Sequence, residues 1–278
     1  MSRFCFAPLV IAASTFLNGC APAPSAFFSR GVSSDFTTDT DVIFTPEKWP
    51  APLVANFYQP DSQKPTPAVL LIHGGGWSGK ERRSDMTGIA KDLAKRGYFV
   101  MNTTYRLAPE WEFPAQTDDL KEALRYMRVN SKKLNIDTAR IATFGYSAGG
   151  HLSALVGLQK ENGIKAIVAG GAPSNLAFWP AGKLTGQLLG GPVKGNEAIY
   201  REASPVTYVN KNSPPVFIYH GTGDTLVPLE HPKAFIAELG EKGVDHEVYW
   251  IKGRSHIFAH LFSAQAVPKA IDFLDKNL

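Results

Sequence analysis

Cysteine is almost missing from this chain: of 278 residues two are cysteines, Cys5 and Cys20, both within the first 20. Everything downstream lacks a thiol, so the apolar core alone holds the fold and a disulfide framework is excluded. Also missing is a long run of one charge sign. The 29 Lys and Arg alternate with 25 Asp and Glu, for a formal charge of +4, which argues against a nucleic-acid partner. There is no internal repeat. No cysteine or carboxylate accompanies a histidine at metal-ligand spacing, so neither a metal nor a cofactor is expected. What the chain does have is 44% hydrophobic and 11% aromatic content, ample for one large core.

The first residues, "MSRFCFAPLVIAASTFLNGC", place Arg3 before an apolar run from Phe4 to Leu17. That is the layout of a secretory signal, and it is short for a membrane span. Its ending, "LNGC", resembles the bacterial lipoprotein signal. The resemblance implies cleavage after residue 19, a lipid on Cys20, and anchoring to the cell envelope. In a Gram-negative cell, the same resemblance implies that Ala21 in place of Asp favours the outer membrane. On this reading residues 1–19 are the signal, 20–40 a lipidated tether rich in Pro, Ser, Thr and Ala, and 41–278 the folded domain. An ordinary cleaved signal, giving a periplasmic or secreted protein, fits the same run.

Beyond residue 50, short apolar runs alternate with helical periodicity. Strands are expected at 53–60, 67–76, 97–107, 139–147, 165–173, 214–224 and 246–253. Helices are expected at 84–97, 115–134, 148–160, near 230–242 and near 264–277. Continuously apolar strands separated by helices imply an α/β fold with a mainly parallel sheet covered on both faces. The irregular stretch 174–213 looks like an insertion over the carboxyl edge of that sheet, where open α/β folds bind ligands.

Gly145-Tyr146-Ser147-Ala148-Gly149 matches G-x-S-x-G and sits between an expected strand and an expected helix. A nucleophile elbow needs that placement, because the strained serine leaves room for only glycine two residues to either side. "HGGGW" at 73–77 follows a buried strand. By the α/β-hydrolase pattern the N–H groups of Gly75, Gly76 and Ala148 form an oxyanion hole. Asp224 in "YHGTGDTLVP" and His256 on a loop in "KGRSHIF" complete the order Ser, Asp, His. His260 is a rival base. His73 and His151 read as braces, His220 as buried packing, His231 and His246 as a helix start and a strand start. Asp118, Asp119 and Asp137 read as helix-face or capping charges. Trp77, Tyr146, Phe178, Trp179 and Leu188 are candidate walls of a substrate pocket.

Taken together, "HGGGW", "YRLAPE", "FPAQTDDL", "IDTARIATFGYSAGGHL" and "HGTGDTLVP" resemble the esterase and lipase branch of the α/β-hydrolase superfamily. "HGGGW" and "YRLAPE" are similar to the hormone-sensitive-lipase group. Tyr146 and "GTGDTLVP" depart from it and look like esterases of acetylated or feruloylated sugars, or like kynurenine formamidases. The resemblance implies a serine carboxylesterase acting on small short-chain esters through an acyl-enzyme. It leaves open an amidase and, in a different class, a non-catalytic binding lipoprotein.

Overall fold

The computed structural model describes Met1, residues 35–263 and residues 265–278. The expected signal, Cys20 and the tether up to residue 34 lie outside the described residues. Strand β1 (Phe36–Ile43) begins inside the stretch read as tether and pairs antiparallel with β2 (Val54–Pro60). The other strands are β3 (Thr66–Ile72), β4 (Phe99–Thr103), β5 (Ile136–Tyr146), β6 (Ala166–Gly170), β7 (Val216–Gly221) and β8 (His246–Ile251). They form one eight-stranded sheet in the order β1-β2-β4-β3-β5-β6-β7-β8. β2 and β4 are antiparallel, and every pairing from β4 to β8 is parallel. This is the α/β-hydrolase arrangement expected above.

The helices are α1 (Thr87–Lys95), α2 (Ala115–Val129), α3 (Ser131–Leu134), α4 (Ala148–Gly157), α5 (Lys183–Leu189), α6 (Glu197–Glu202), α7 (Glu230–Glu241), α8 (His256–Leu261) and α9 (Ala266–Asn277). β3 shows why they cover both faces. All seven of its residues are buried, and successive side chains point to opposite sides. Leu70 and Ile72 pack with Leu120, Leu124, Leu152 and Phe235 of α2, α4 and α7. Val69 and Leu71 pack with Leu93, Ile271 and Leu274 of α1 and α9. A strand sandwiched in this way needs apolar residues at every position, hence the unbroken run "AVLLI".

Three local expectations change. The helix expected over 115–134 breaks at Asn130, whose amide Nδ2 donates to the carbonyl of Tyr126 at 2.9 Å and caps α2 before α3 begins. His256 is not on a loop but is the first residue of α8. Asp119 is no surface charge. It is fully buried, accepts from Trp49 Nε1 at 2.8 Å and from the Arg106 backbone N–H at 2.8 Å, and pairs with the Arg106 guanidinium at 2.8 Å. Arg106 lies over Trp111, 4.9 Å from the ring. This polar core fixes the "YRLAPE" stretch, whose Tyr105 donates to the His73 carbonyl at 3.1 Å and stacks on the His73 ring. In this way a motif some forty residues before Ser147 in the sequence braces the root of the glycine loop. Because the sheet is parallel from β4 onward, the loops after β3, β5, β7 and β8 all emerge at one edge, and the site forms there.

Candidate active site

Ser147 caps α4 at the end of β5 with φ 56° and ψ −123°. A non-glycine residue in that region is strained and persists only where its surroundings hold it. Here the Ser147 N–H donates to the Gly170 carbonyl at 2.8 Å, and its carbonyl accepts from His151 N at 2.9 Å. The flanking glycines are required by space. A Cβ on Gly145 would lie 2.1 Å from the Gly149 carbonyl oxygen, and one on Gly149 would lie 2.1 Å from the Ile72 carbonyl oxygen. Strand, turn and helix therefore touch backbone to backbone, and the half-buried serine side chain is aimed outward.

His256 Nε2 lies 2.8 Å from Ser147 Oγ, and His256 Nδ1 lies 2.6 Å from Asp224 Oδ2. The other carboxylate oxygen, Oδ1, accepts the N–H groups of Leu226 and Val227 at 3.0 and 2.8 Å. Burial pushes the Asp224 carboxyl upward, yet hydrogen bonds from His220, His256 and Val227 outweigh it and hold the group well below the usual carboxylate range. A charged carboxylate on Nδ1 fixes the tautomer whose Nε2 lone pair faces the serine, the arrangement of a base that can take the serine proton.

Against the serine lies the glycine loop. A Cβ on Gly74 would meet Ser147 Cβ at 3.3 Å, one on Gly75 would meet Arg82 Cδ at 2.9 Å, and one on Gly76 would meet Leu184 Cδ1 at 2.8 Å. Gly75 and Gly76 both have positive φ, 111° and 63°. Neither donates its N–H to another group among the described residues. Ala148 opens α4, where N–H groups lack an intrahelical acceptor. Gly75, Gly76 and Ala148 line the same cavity as Ser147.

The remaining histidines are sorted by their partners. His151 is fully buried, accepts from Trp77 Nε1 at 3.1 Å, and places its Nε2 2.7 Å from the Ala203 carbonyl. Burial drops its pKa to about 4, so it stays a neutral strut between the glycine loop and the 174–213 insertion. His260, the rival base, instead stacks on Tyr146 with ring centroids 4.6 Å apart. His73 bonds the adjacent Gly74 carbonyl at 2.7 Å. His220, read as packing, is buried but also approaches Asp224. Tyr146 is almost fully buried and donates to the His256 carbonyl at 2.6 Å. Burial, then the neighbouring Tyr219 and Asp224, push its hydroxyl far above the ordinary tyrosine value, so it remains a donor and ties the elbow to His256.

A cavity of about 670 Å³ opens over Ser147. Trp77, Tyr146 and Trp179 line it, as expected from the sequence. Phe178 and Leu188 do not. Phe178 sits on a 3-10 turn edge-on to His231, and Leu188, one turn along α5 from Leu184, is buried in the core. Their places are taken by Leu184, Leu226, Ile257 and Leu261. Leu184 lies in the irregular stretch 174–213 and Leu226 in "HGTGDTLVP", neither of which reveals in sequence which side chain faces inward. Among the described residues no group of three or more His, Cys, Asp or Glu is placed to hold a metal ion.

Comparison with known proteins agrees with this fold. The BD-FAE family model matches residues 56–239. Esterase LipC of Mycobacterium tuberculosis is 28% identical over 230 residues, covering 74% of this chain and 57% of that protein. The chain spans about half the length of the curated relatives it matches. Among solved structures, a truncated carbohydrate esterase from gut microbiota superposes with a TM-score of 0.79 at 22% identity, covering 88% of this chain and 97% of that one. The acetyl ester-xyloside bifunctional hydrolase of Caldicellulosiruptor lactoaceticus has a TM-score of 0.65 at 27% identity, covering 84% and 89%. The first of these likenesses is one of fold. The family match takes in well over half of the residues, from β2 through the elbow and Asp224 into α7, and on it the chain belongs to the BD-FAE family.

Proposed function

We propose that this chain is a serine carboxylesterase that hydrolyses short-chain acyl esters through an acyl-enzyme. The unbroken hydrogen-bonded line Ser147–His256–Asp224 on the floor of an open cavity carries this reading. Ser147 Oγ attacks the ester carbonyl carbon as His256 Nε2 takes its proton. The carbonyl oxygen gains the negative charge, facing the N–H groups of Gly75, Gly76 and Ala148. Collapse expels the alcohol, which leaves with the proton from His256. Water, deprotonated by the same nitrogen, then attacks the acyl-enzyme and releases the carboxylic acid and Ser147. The apolar walls set by Trp179, Leu184 and Leu226 suit a small acyl or alkoxy group. A 4-nitrophenyl ester series from acetyl to octanoyl tests this: kcat/KM should peak at the short end, and no hydrolysis anywhere in the series overturns it.

A second reading narrows the ester to an acylated sugar, with the sugar hydroxyl as the alcohol released, favoured by the name of the 27% identical acetyl ester-xyloside hydrolase. Faster acetate release from acetylated xylo-oligosaccharide than from 4-nitrophenyl acetate would support it. Hydrolysis of N-formylkynurenine well above any ester would instead make the enzyme an amidase.

We also propose that Cys20 is acylated and anchors the protein to the cell envelope. The sequence "LNGC" after an apolar run supports this. Mass spectrometry of the N-terminal peptide from the native host should show diacylglyceryl-modified Cys20, and an unmodified thiol refutes the anchor.

A further inference from the structure

The carboxylate of Asp224 faces two imidazoles. His220, four residues earlier near the end of β7, is fully buried. Its Nε2 lies 2.8 Å from the Val227 carbonyl oxygen and 3.3 Å from Asp224 Oδ2. Both neighbours are acceptors, so Nε2 carries the ring proton and shares it between them. The other nitrogen, Nδ1, has no hydrogen-bond partner among the described residues. A histidine kept only to fill space would be a poor choice here, since burying an unpartnered acceptor costs free energy that a phenyl ring avoids. The useful part of the residue is therefore its N–H.

That N–H closes a small ring of contacts. Val227 donates its N–H to Asp224 Oδ1 while its carbonyl accepts from His220, and His220 also reaches Oδ2, the atom that receives His256 Nδ1–H. The carboxylate is held on both oxygens and cannot rotate without breaking one of these bonds. We propose that His220 is a positioning residue, which orients Asp224 Oδ2 toward His256 and takes up part of its charge. This rests on the reading of Ser147, His256 and Asp224 as the catalytic groups.

The sign of the effect follows from the shared oxygen. With the His220 donor removed, Oδ2 concentrates its charge on His256 and favours the imidazolium, so the acid limb of the kcat/KM profile moves to higher pH. The other titratable groups around the pair are Tyr146 of β5, which bonds the His256 carbonyl and senses Asp224, His231 of α7, which senses both His220 and Asp224, and His260 of α8, with Asp85 beyond it. A substitution at position 220 leaves these side chains in place, although His231 loses its interaction with His220, so the titration is read at His256 itself.

Three variants separate positioning from packing. His220→Phe fills the space without a donor, His220→Asn carries an amide too short to reach Oδ2, and His220→Gln restores an N–H at similar reach. H220F and H220N should lose about 10- to 100-fold in kcat, the range for one hydrogen bond to a charged group, with little change in KM and an acid limb moved upward. H220Q should recover most of both. An unmoved limb in H220F and H220N, or H220Q as impaired as they are, overturns the proposal. The low-field proton signal of His256 Nδ1–H, titrated without substrate, gives a readout independent of turnover. Its midpoint should rise in H220F and H220N and return in H220Q. If wild-type protein hydrolyses no ester, the esterase reading fails, and this titration still decides the role of His220.

Discussion

Ser147→Ala should lower turnover of 4-nitrophenyl acetate by on the order of a millionfold, and His256→Ala by a similar factor. The two are expected to be non-additive, because either loss removes the same step: without Oγ there is nothing to acylate, and without Nε2 the hydroxyl keeps its proton. The double variant should be no slower than either single one. Residual activity about a thousandfold or more above water should survive in all three, carried by the pocket and by the donors of Gly75, Gly76 and Ala148. Folding should be nearly untouched, since among the described residues Ser147 Oγ bonds only His256 and the strained turn is held by backbone contacts to Gly170 and His151. Single-turnover kinetics with stopped-flow detection of nitrophenolate checks this. A Ser147→Ala protein that retains a burst, or loses less than about a hundredfold, would remove Ser147 from the chemistry.

Asp224→Asn should cost about ten-thousandfold in kcat with the fold intact. An asparagine keeps the shape of the side chain, and its carbonyl can still accept from Leu226 and Val227, as Oδ1 does now. Its NH₂ then faces His256 Nδ1 at the position where Oδ2 now accepts at 2.6 Å. The ring is pushed into the other tautomer, with the proton on Nε2, and Nε2 can no longer take the serine proton. Nitrogen NMR of labelled His256 should report that tautomer directly. In the native protein the carboxylate stays ionised well into acid, because its hydrogen bonds outweigh the upward push of burial, so activity lost on moderate acidification should follow the base and not Asp224. Activity of the asparagine variant within tenfold of wild type would mean that orientation of His256 comes from elsewhere.

The parts of this site written in short strings were legible in the sequence. Gly145, Ser147 and Gly149 could be placed because a Cβ at either glycine would lie 2.1 Å from a backbone oxygen, and a rule enforced by steric exclusion is readable in sequence. The buried strands were legible for a similar reason, as β3 shows. β1 was not, since "FTTDTDVI" lies on the sheet edge with six of its eight residues exposed, and its Thr- and Asp-rich sequence differs little from a linker. Pocket walls were half legible. Trp77 and Tyr146 sit beside fixed motifs, whereas the choice of Leu184 over Leu188 depends on how α5 rolls against the core, which periodicity in a seven-residue helix does not determine. Asp119 was misjudged because its partner Trp49 comes from 70 residues away and only tertiary packing brings the two together. His220 was read as buried packing and is buried, and what that reading left out is its approach to Asp224, four residues on.

His151 meets the 174–213 insertion through the carbonyl oxygen of Ala203, not through a side chain. A main-chain acceptor is present whatever residue occupies the position. A substitution at position 203 therefore leaves the acceptor of the strut behind Trp77 in place. The frame behind the cavity wall hangs on main chain, independent of the side chains that give the rim its chemistry.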